Sequence, residues 1–266
     1  MNVVDKIAAV LRRDFLTAIR YRAGLAALLL ATAGELGAFY YLSHAVGAGF
    51  RPDGMAYFPF VLVGTGFFGF LMAGTHALLT AVQEAQQSGT LEALLNTSTP
   101  PAMLVLLSSI SAFGRQLLQM LLYIGTGLLL CQVPERQTDT LLVVIVFILS
   151  VCISAGLGLI AAALQLAMQK GSTLLWLFGS VAWFLSGTLF PVTALPRPAQ
   201  VISSLLPVTY SLQAMRLAMF QSDHHGALLG QVSALALFAM LLLPLGIAVF
   251  SLTLRRARSL GTLSFY

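Results

Sequence analysis

Side chains that could carry out acid–base, metal or nucleophilic chemistry are few and widely separated in this sequence. None of the histidines has partners at the spacing of a catalytic triad or a metal site. They are His44, His76, His224 and His225. The two cysteines, Cys131 and Cys152, lie in different apolar runs and are interpreted as small hydrophobic residues. Lys170-Gly171-Ser172 has the wrong order for a phosphate-binding loop, so any ATP must be bound by another chain.

Glu35 is the main charged residue within an apolar segment. Residues 23–50 contain no other charged side chain and are long enough for a span of about 20 residues. A carboxylate inside a bilayer is costly and is by default a functional candidate. The sequence leaves a second interpretation open, in which Glu35 reaches the external interface or a hydroxyl neighbour.

The composition indicates an integral membrane protein. Apolar residues make up 58% of the chain and charged residues 9%, against roughly 25% charged in a soluble domain, and the mean hydropathy is +0.91. The net charge is +5, but the basic residues cluster at the ends of apolar runs. That distribution sets membrane topology and contacts with membrane lipids, and it argues against a nucleic-acid partner.

The hydropathy pattern predicts an all-α membrane protein with two parts. Residues 1–22 form a basic amphipathic helix in the headgroup plane, and residues 23–266 form a domain of six transmembrane helices. The six spans fall within 23–50, within 54–83, at about 116–133, within 140–169, at about 172–190 and within 227–254. The apolar stretch 103–114 is too short to cross and is predicted to be an interfacial helix that leads to Arg115.

The polar stretch 84–101 separates two long apolar segments. Gly89 interrupts the preceding run, Thr90 suits a helix N-cap, and Glu92 would lie in the first turn, where a carboxylate complements the helix dipole. An apolar stripe at helical spacing follows, formed by Leu91, Leu94 and Leu95. Two prolines at the end of the stretch terminate the element. We therefore expect a short amphipathic helix outside the bilayer, with an ordinary polar loop as the alternative.

A proline-rich stretch, 191–220, follows the fifth predicted span. Pro207 divides it into two short helices, at about 198–206 and 209–220, and neither can cross about 30 Å of hydrocarbon. The stretch is predicted to form an external re-entrant hairpin, which could be a moving gate or a stabilising collar. Its apolar side chains are expected to be buried against spans five and six or against a second subunit. They are Val201, Ile202, Leu205, Leu206, Leu212 and Met215.

The distribution of lysine and arginine predicts the orientation. Ten of the 14 lie at the N-terminus, at Arg115, at Lys170 or at the C-terminus, and the other four lie in segments that would face the opposite side. Both termini and the 84–101 loop are therefore predicted to be cytoplasmic, and the expected location is the inner membrane of a bacterium.

Two separated motifs resemble those of type-2 ABC transporter permeases, a family related to the ABCG-like exporters. The family's coupling helix, E-x-x-x-x-G-T-L-E-x-L-L, is matched here by Glu84, Gly89-Thr90-Leu91-Glu92 and Leu94-Leu95. The family's signature after span five is similar to Ser186-Gly187-x-x-Phe190-Pro191, Leu195-Pro196, Pro207-x-Thr209-Tyr210 and Arg216. The arginines that family members often carry in the first motif are replaced here by uncharged residues.

The resemblance implies a division of labour between subunits. The coupling helix would dock on a separate ABC ATPase, present in two copies, through Glu84, Gly89, Thr90, Leu91, Glu92, Leu94 and Leu95. ATP and Mg²⁺ would bind to that partner, so this chain would hold no cofactor and would not itself be an enzyme. A second permease copy would complete a homodimer. An external gate would be built from Pro191, Pro196, Pro207, Tyr210 and Arg216.

In such permeases, spans two and five line the substrate path at the dimer axis. The corresponding aromatic residues here are Phe60, Phe67, Phe68, Phe70, Phe178, Trp183, Phe184 and Phe190. Their rings could contact lipid tails, flat drugs or sugar faces, or they could pack against helices and bulk lipid. We expect an exporter of an amphiphilic or lipid-like substrate or drug. Export of a lipid-linked polysaccharide, an ion-driven carrier and a non-transporting membrane scaffold are the alternatives.

Overall fold

The computed structural model describes residues 22–47, 49–87, 89, 101–130, 138–168, 170–221 and 225–260. Within these ranges the chain is helical and has no strand. Most of the predicted amphipathic helix, residues 1–21, lies outside them.

Eight α-helices run through the described residues. They are α1 (Arg22–Val46), α2 (Tyr57–Gln87), α3 (Pro101–Leu130), α4 (Thr140–Met168), α5 (Gly171–Leu185), α6 (Arg197–Leu205), α7 (Pro207–Phe220) and α8 (His225–Leu260). Short 3₁₀ turns at Pro52–Gly54 and Val192–Ala194 precede α2 and α6.

Within the described residues, four helices are long and apolar enough to cross a membrane. They are Tyr57–Gln87, Val105–Leu130, Thr140–Met168 and Gly226–Ala257. The helices predicted as spans one and five, α1 and α5, are not among these four. Helix α5 has only 15 residues, roughly 22 Å at the α-helical rise, which is shorter than about 30 Å of hydrocarbon. The structure therefore supports an all-helical membrane protein, and the count of six spans stays a prediction.

Helix α3 corrects one expectation from the sequence. The predicted interfacial helix at 103–114 and the described part of the predicted third span, residues 116–130 of 116–133, are a single continuous helix, Pro101–Leu130. The separation was wrong because no proline interrupts this run, and Gly114 alone costs a helix only about 1 kcal/mol. Arg115 consequently lies at the middle of a 30-residue helix, with its side chain exposed, rather than at the start of a span.

Helix α2 is the centre of the packing. Of its most apolar window, 83% is buried by the rest of the chain. Helices α3 and α4 both pack along it, and α8 packs on α4. A polar contact fixes the register of α2 and α4, because Thr75 Oγ1 lies 3.1 Å from Ser154 Oγ and Ser154 Oγ donates to Leu71 O at 2.8 Å. Buried hydroxyl pairs of this kind join helices where no water competes.

Two glycines allow α4 and α8 to approach closely. A Cβ at Gly246 would lie 2.5 Å from the carbonyl oxygen of Gly156, and a Cβ at Gly156 would lie 2.6 Å from the carbonyl oxygen of Leu242. Small residues at a helix crossing let the two backbones come into van der Waals contact, which drives helix association in lipid. This crossing therefore sets the distance between α4 and α8.

We predict that Gly246→Ala lowers the free energy of unfolding by about 1–3 kcal/mol, because the new methyl group must push α8 away from α4. Gly230→Ala on the same helix is the matched control, since a Cβ there meets no atom within 4 Å. SDS-induced unfolding of the two variants measures the difference. Equal unfolding curves for the two alanine variants would contradict the close crossing.

Candidate functional site

The predicted coupling loop begins at the end of α2. Glu84 is exposed in the last turn of that helix, and Gly89 has a φ of +66°, a left-handed conformation that suits glycine where the chain leaves a helix. The rest of the motif lies outside the described residues, namely Thr90, Leu91, Glu92, Leu94 and Leu95. The structure thus shows where the loop starts, and its docking role stays a prediction.

An open aromatic groove of about 350 Å³ lies between α2 and α5. Its lining residues are Phe68, Met72, His76, Trp176, Gly179, Ser180, Trp183 and Phe184. Three of the predicted path residues, Phe68, Trp183 and Phe184, therefore lie together. The rings of Trp183 and Phe184 meet edge-to-face with centroids 5.0 Å apart, and 56% of Phe184 is exposed. We call this feature the aromatic groove.

The start of α5 is held against α4, which fixes one wall of the aromatic groove. The backbone N–H of Gly171 donates to Gln165 Oε1 at 2.8 Å and so caps the first turn. A Cβ at Gly171 would lie 2.7 Å from the carbonyl oxygen of Ala161, so only glycine fits without a shift. Because α4 is itself bound to α2, the two walls of the groove belong to one packed body.

The other predicted path aromatics do not line the aromatic groove. Phe60, Phe67 and Phe70 are at most 1% exposed and pack inside the subunit. The rings of Phe67 and Phe70 are stacked, and Phe70 also stacks on Phe147 of α4 with centroids 5.2 Å apart. The two remaining residues of the set, Phe178 and Phe190, are half-buried. The sequence alone could not show which rings line the groove and which are buried, because α2 is apolar on nearly all of its faces.

The hairpin has the predicted division. Helices α6 and α7 are separated at Leu206, which has φ −88° and ψ 115°, so the chain is extended immediately before Pro207. On α7, Leu212 and Met215 are buried, as expected. On α6, the expected burial is absent within one subunit, where Val201, Ile202 and Leu205 are 63%, 49% and 70% exposed. The hairpin therefore has one face packed on its own chain and one apolar face uncovered.

Arg216 joins the hairpin to α2. Its Nε donates to the carbonyl oxygen of Phe60 at 3.0 Å, its Nη2 donates to the carbonyl oxygen of Thr188 at 3.1 Å, and its guanidinium carbon lies 3.5 Å from the centroid of the Phe60 ring. A Cβ at Gly64 would collide with both Arg216 Nη2 and Thr188 O, so a glycine is required there. Burial lowers the pKa of Arg216 to about 9, against an opposing effect of Asp53, so the guanidinium stays charged at neutral pH.

Three other predicted gate residues occupy distinct environments. Pro191 is buried beside the turn at 186–190, whereas Pro196 is exposed before α6. The hydroxyl of Tyr210 donates to the carbonyl oxygen of Ser204 at 2.9 Å and so binds α7 to α6 across the break. Sequence analysis missed Thr188, whose carbonyl group is the second acceptor of Arg216. The sequence signal for this contact was weak, because every residue has a backbone carbonyl group and the residue type does not show which one accepts a hydrogen bond.

Glu35 has a hydroxyl neighbour, which is one of the two situations considered for it. It is exposed on α1 and lines the same cavity as Tyr123 of α3. The hydroxyl of Tyr123 in turn lies 3.0 Å from Thr65 Oγ1 of α2. A carboxyl group and two hydroxyl groups from three helices therefore line one cavity.

Comparison with known proteins decides the family. The sequence profile of the ABC-2 type transporter family matches residues 5–220. The chain belongs to this family. It is also similar to Nodulation protein J of Sinorhizobium fredii (strain NBRC 101917 / NGR234), with 29% identity over 245 residues that cover 88% of each chain. The predicted family is thereby confirmed.

Membership of the ABC-2 family assigns the role of the chain within a transporter. The ABC-2 domain is the transmembrane permease subunit, which does not itself hydrolyse ATP and works with a separate ATPase subunit. The protein is accordingly a multi-pass membrane subunit of an ABC transporter. The matched region ends at residue 220, so it includes the aromatic groove, Arg216 and both helices of the hairpin.

We predict that Arg216→Lys lowers the free energy of unfolding of this ABC-2 permease by about 1.5–3 kcal/mol, the usual contribution of a hydrogen bond to a charged group. The lysine ammonium is a compact point charge and cannot hold both carbonyl groups in the geometry of a guanidinium. Arg197→Lys is the control, because Arg197 is exposed on α6. SDS-induced unfolding should separate the two variants. If Arg216→Lys unfolds at the same SDS concentration as the wild-type chain, the paired hydrogen bonds of the guanidinium are not needed for stability.

Proposed function

We propose that this permease subunit moves an amphiphilic or lipid-like molecule outward across the cytoplasmic membrane, driven by ATP hydrolysis on a separate subunit. The aromatic groove is the observation that supports this most. It joins exposed rings of α5 to Phe68 and Met72 of α2, and such a surface binds alkyl chains and flat apolar groups through contact area without fixing one orientation.

A second permease copy would supply the missing wall of the aromatic groove. The groove is open on one side, and its exposed rim continues onto the uncovered face of α6, which contacts α5. This apolar surface is formed by Trp176, Leu177, Phe184, Val201, Ile202 and Leu205. A twofold dimer buries the same patch of both copies, so two grooves would face each other and enclose one path.

Helix α2 is the proposed mechanical link between ATP and substrate. It is one helix of 31 residues, with Glu84 in its last turn and the groove residues Phe68, Met72 and His76 along its length. An ATPase that pulls or pushes the 84–101 loop would therefore displace the groove wall directly. ATP and Mg²⁺ would stay on the two ATPase copies, and this chain would bind neither.

The hairpin is the proposed outer boundary of the path. Arg216 fixes α7 and the 186–190 turn to the outer part of α2 through two hydrogen bonds. The hairpin would therefore move with α2 as one body rather than as an independent flap. This coupling allows it to act as a gate while it also stabilises the subunit.

The transport assay uses inside-out vesicles that contain the chain and its cognate ATPase, with a fluorescent NBD-labelled phospholipid as the probe. Outward transport would move the probe into the lumenal leaflet, where dithionite cannot bleach it. We expect ATP-dependent protection, reduced about tenfold by Trp183→Ala together with Phe184→Ala, which corresponds to about 1.4 kcal/mol of lost contact. Tyr41→Ala, an exposed aromatic outside the groove, is the control. Protection without ATP, or none at all, would contradict the proposal.

The proposed orientation is tested with single cysteines in a chain whose Cys131 and Cys152 have been replaced. Asp53→Cys should react with an impermeant maleimide in intact cells, and Gln87→Cys should react only after the membrane is opened. Both side chains are exposed, so burial does not limit either reaction. Labelling of Gln87→Cys in intact cells would reverse the orientation and remove the loop from the side that holds ATP.

A further inference from the structure

An open cavity of about 490 Å³ lies between α3 and α4, on a side of the subunit that the proposed function does not use. Both helices pack along α2, which forms the floor of the cavity. The side chains that line it are apolar except for Ser109, whose hydroxyl group donates to the carbonyl oxygen of Leu106 at 2.9 Å. We call this cavity the lateral cleft.

Three phenylalanine rings, one from each helix, hold the lateral cleft open. The ring centroid of Phe70 of α2 lies 5.2 Å from that of Phe147 of α4 and 6.2 Å from that of Phe113 of α3. Gly74 makes room for this arrangement, because a Cβ there would collide with the Phe113 ring. Helix α3 therefore cannot approach α4 at this level without displacing packed aromatic side chains.

The lateral cleft faces away from the aromatic groove. Phe70 lines the cleft, whereas Met72 lines the groove. Two residues along an α-helix correspond to a rotation of about 200°, so the two features lie on opposite sides of α2. A second copy that closed the aromatic groove would leave the lateral cleft open to the bilayer. Apolar side chains that face a void lose dispersion contacts, so a lipid acyl chain is favoured there.

The end of α8 places positive charge beside one end of the lateral cleft. Helix α8 contacts α3. Leu254 and Ala257 of α8 belong to one buried cluster, and Leu106, which lines the cleft, packs against that cluster. Arg255 and Arg256 lie between these two buried residues in the sequence, and both are exposed. An apolar cleft and two cations therefore lie next to each other.

The distance between the two features matches the depth of one leaflet. Val82 of α2 lies in the same cluster as Leu254 and Ala257, so it marks the level of the two arginines. At the α-helical rise, Phe70 is roughly 18 Å from Val82. Half of a hydrocarbon core of about 30 Å is about 15 Å. An acyl chain whose headgroup lies at the level of Val82 would therefore reach the ring of Phe70.

We propose that the lateral cleft binds an acyl chain of an anionic phospholipid whose phosphate group pairs with Arg255 and Arg256. A guanidinium group binds phosphate oxygens through paired, charge-assisted hydrogen bonds, and basic residues at a membrane surface attract anionic lipids. A zwitterionic lipid would bring an ammonium group to the same arginines and is the weaker ligand. An acidic protein surface could pair with the arginines, but it would leave the cleft empty.

The lipid would be a resident partner rather than a transported molecule, because its site lies on the far side of α2 from the proposed path. Its chain would complete the packing between α3 and α4 and would support Phe70. Binding would therefore stabilise the folded chain whether or not transport occurs.

The test adds lipid to the purified chain in an uncharged maltoside detergent and follows the unfolding temperature. Dioleoylphosphatidylglycerol is the anionic probe, and dioleoylphosphatidylcholine, which has the same chains, is the comparison. A ligand that binds the folded state raises the unfolding temperature. With two arginines at the headgroup, we expect half of the maximal rise at an about 30-fold lower concentration of phosphatidylglycerol.

The headgroup contact is tested by Arg255→Gln combined with Arg256→Gln, which should abolish the preference for phosphatidylglycerol. Arg51→Gln combined with Arg197→Gln is the matched control, because both of these arginines are exposed and neither lies on α3, α4 or α8. The control should keep the about 30-fold preference.

The chain contact is tested by Val151→Phe, which narrows the lateral cleft and should abolish the rise with both lipids. Val181→Phe on α5 is the matched control, since Val181 is exposed and does not line the cleft. Ile110→Trp fills the cleft from α3 and serves as the second variant if Val151→Phe does not unfold cooperatively.

Equal half-maximal concentrations of the two lipids in the wild-type chain would overturn the inference. A preference for phosphatidylglycerol that survives the loss of both arginines, or a rise that survives both cleft variants, would also overturn it. A lipid-free dimer that both cleft variants dissociate would assign the cleft to a second copy instead. None of these measurements uses ATP, so their outcome is independent of the NBD-phospholipid transport assay.

Discussion

The interaction on which the rest of this structure depends is the pair of hydrogen bonds that Arg216 donates. A buried irregular turn is tolerated only where other groups satisfy its backbone. The turn that follows α5 meets this condition because the buried guanidinium of Arg216 reaches Thr188 O and Phe60 O together. Gly64 leaves the space for this contact. The short helix α5, the hairpin and the outer part of α2 are thereby held as one unit.

That unit places three different surfaces on a single helix. One side of α2 is buried by α3 and α4, which gives it the rigidity of a packed core. Its other side borders the aromatic groove and the cavity lined by Glu35 and Tyr123, and its end leads into the predicted coupling loop. A displacement at the Glu84 end of such a helix reaches all of these surfaces, since packed interiors transmit strain rather than absorb it. This arrangement is the physical basis of the proposed coupling between ATP hydrolysis and transport.

The sequence predicted features that depend on local chemistry. Pro207 ends one helix and begins the next wherever the chain folds, so the two hairpin helices were found within two residues of their expected bounds. The loop motifs likewise identified the family that the comparison confirmed. Features that depend on distant partners were not accessible. The continuity of α3 through Arg115, the burial of Phe60 beneath Arg216 and the convergence of Glu35 with Tyr123 on one cavity arise only when separate helices pack.

The central claim is that the aromatic groove is closed by a second copy of the chain. Crosslinking in membranes with a short bismaleimide tests it most directly, with Ser180→Cys in the groove and Ser233→Cys on the exposed side of α8 as the control, after both native cysteines are replaced. The account predicts a covalent dimer for Ser180→Cys and a monomer for Ser233→Cys. A monomer at Ser180, or equal dimer yields at the two positions, would contradict it.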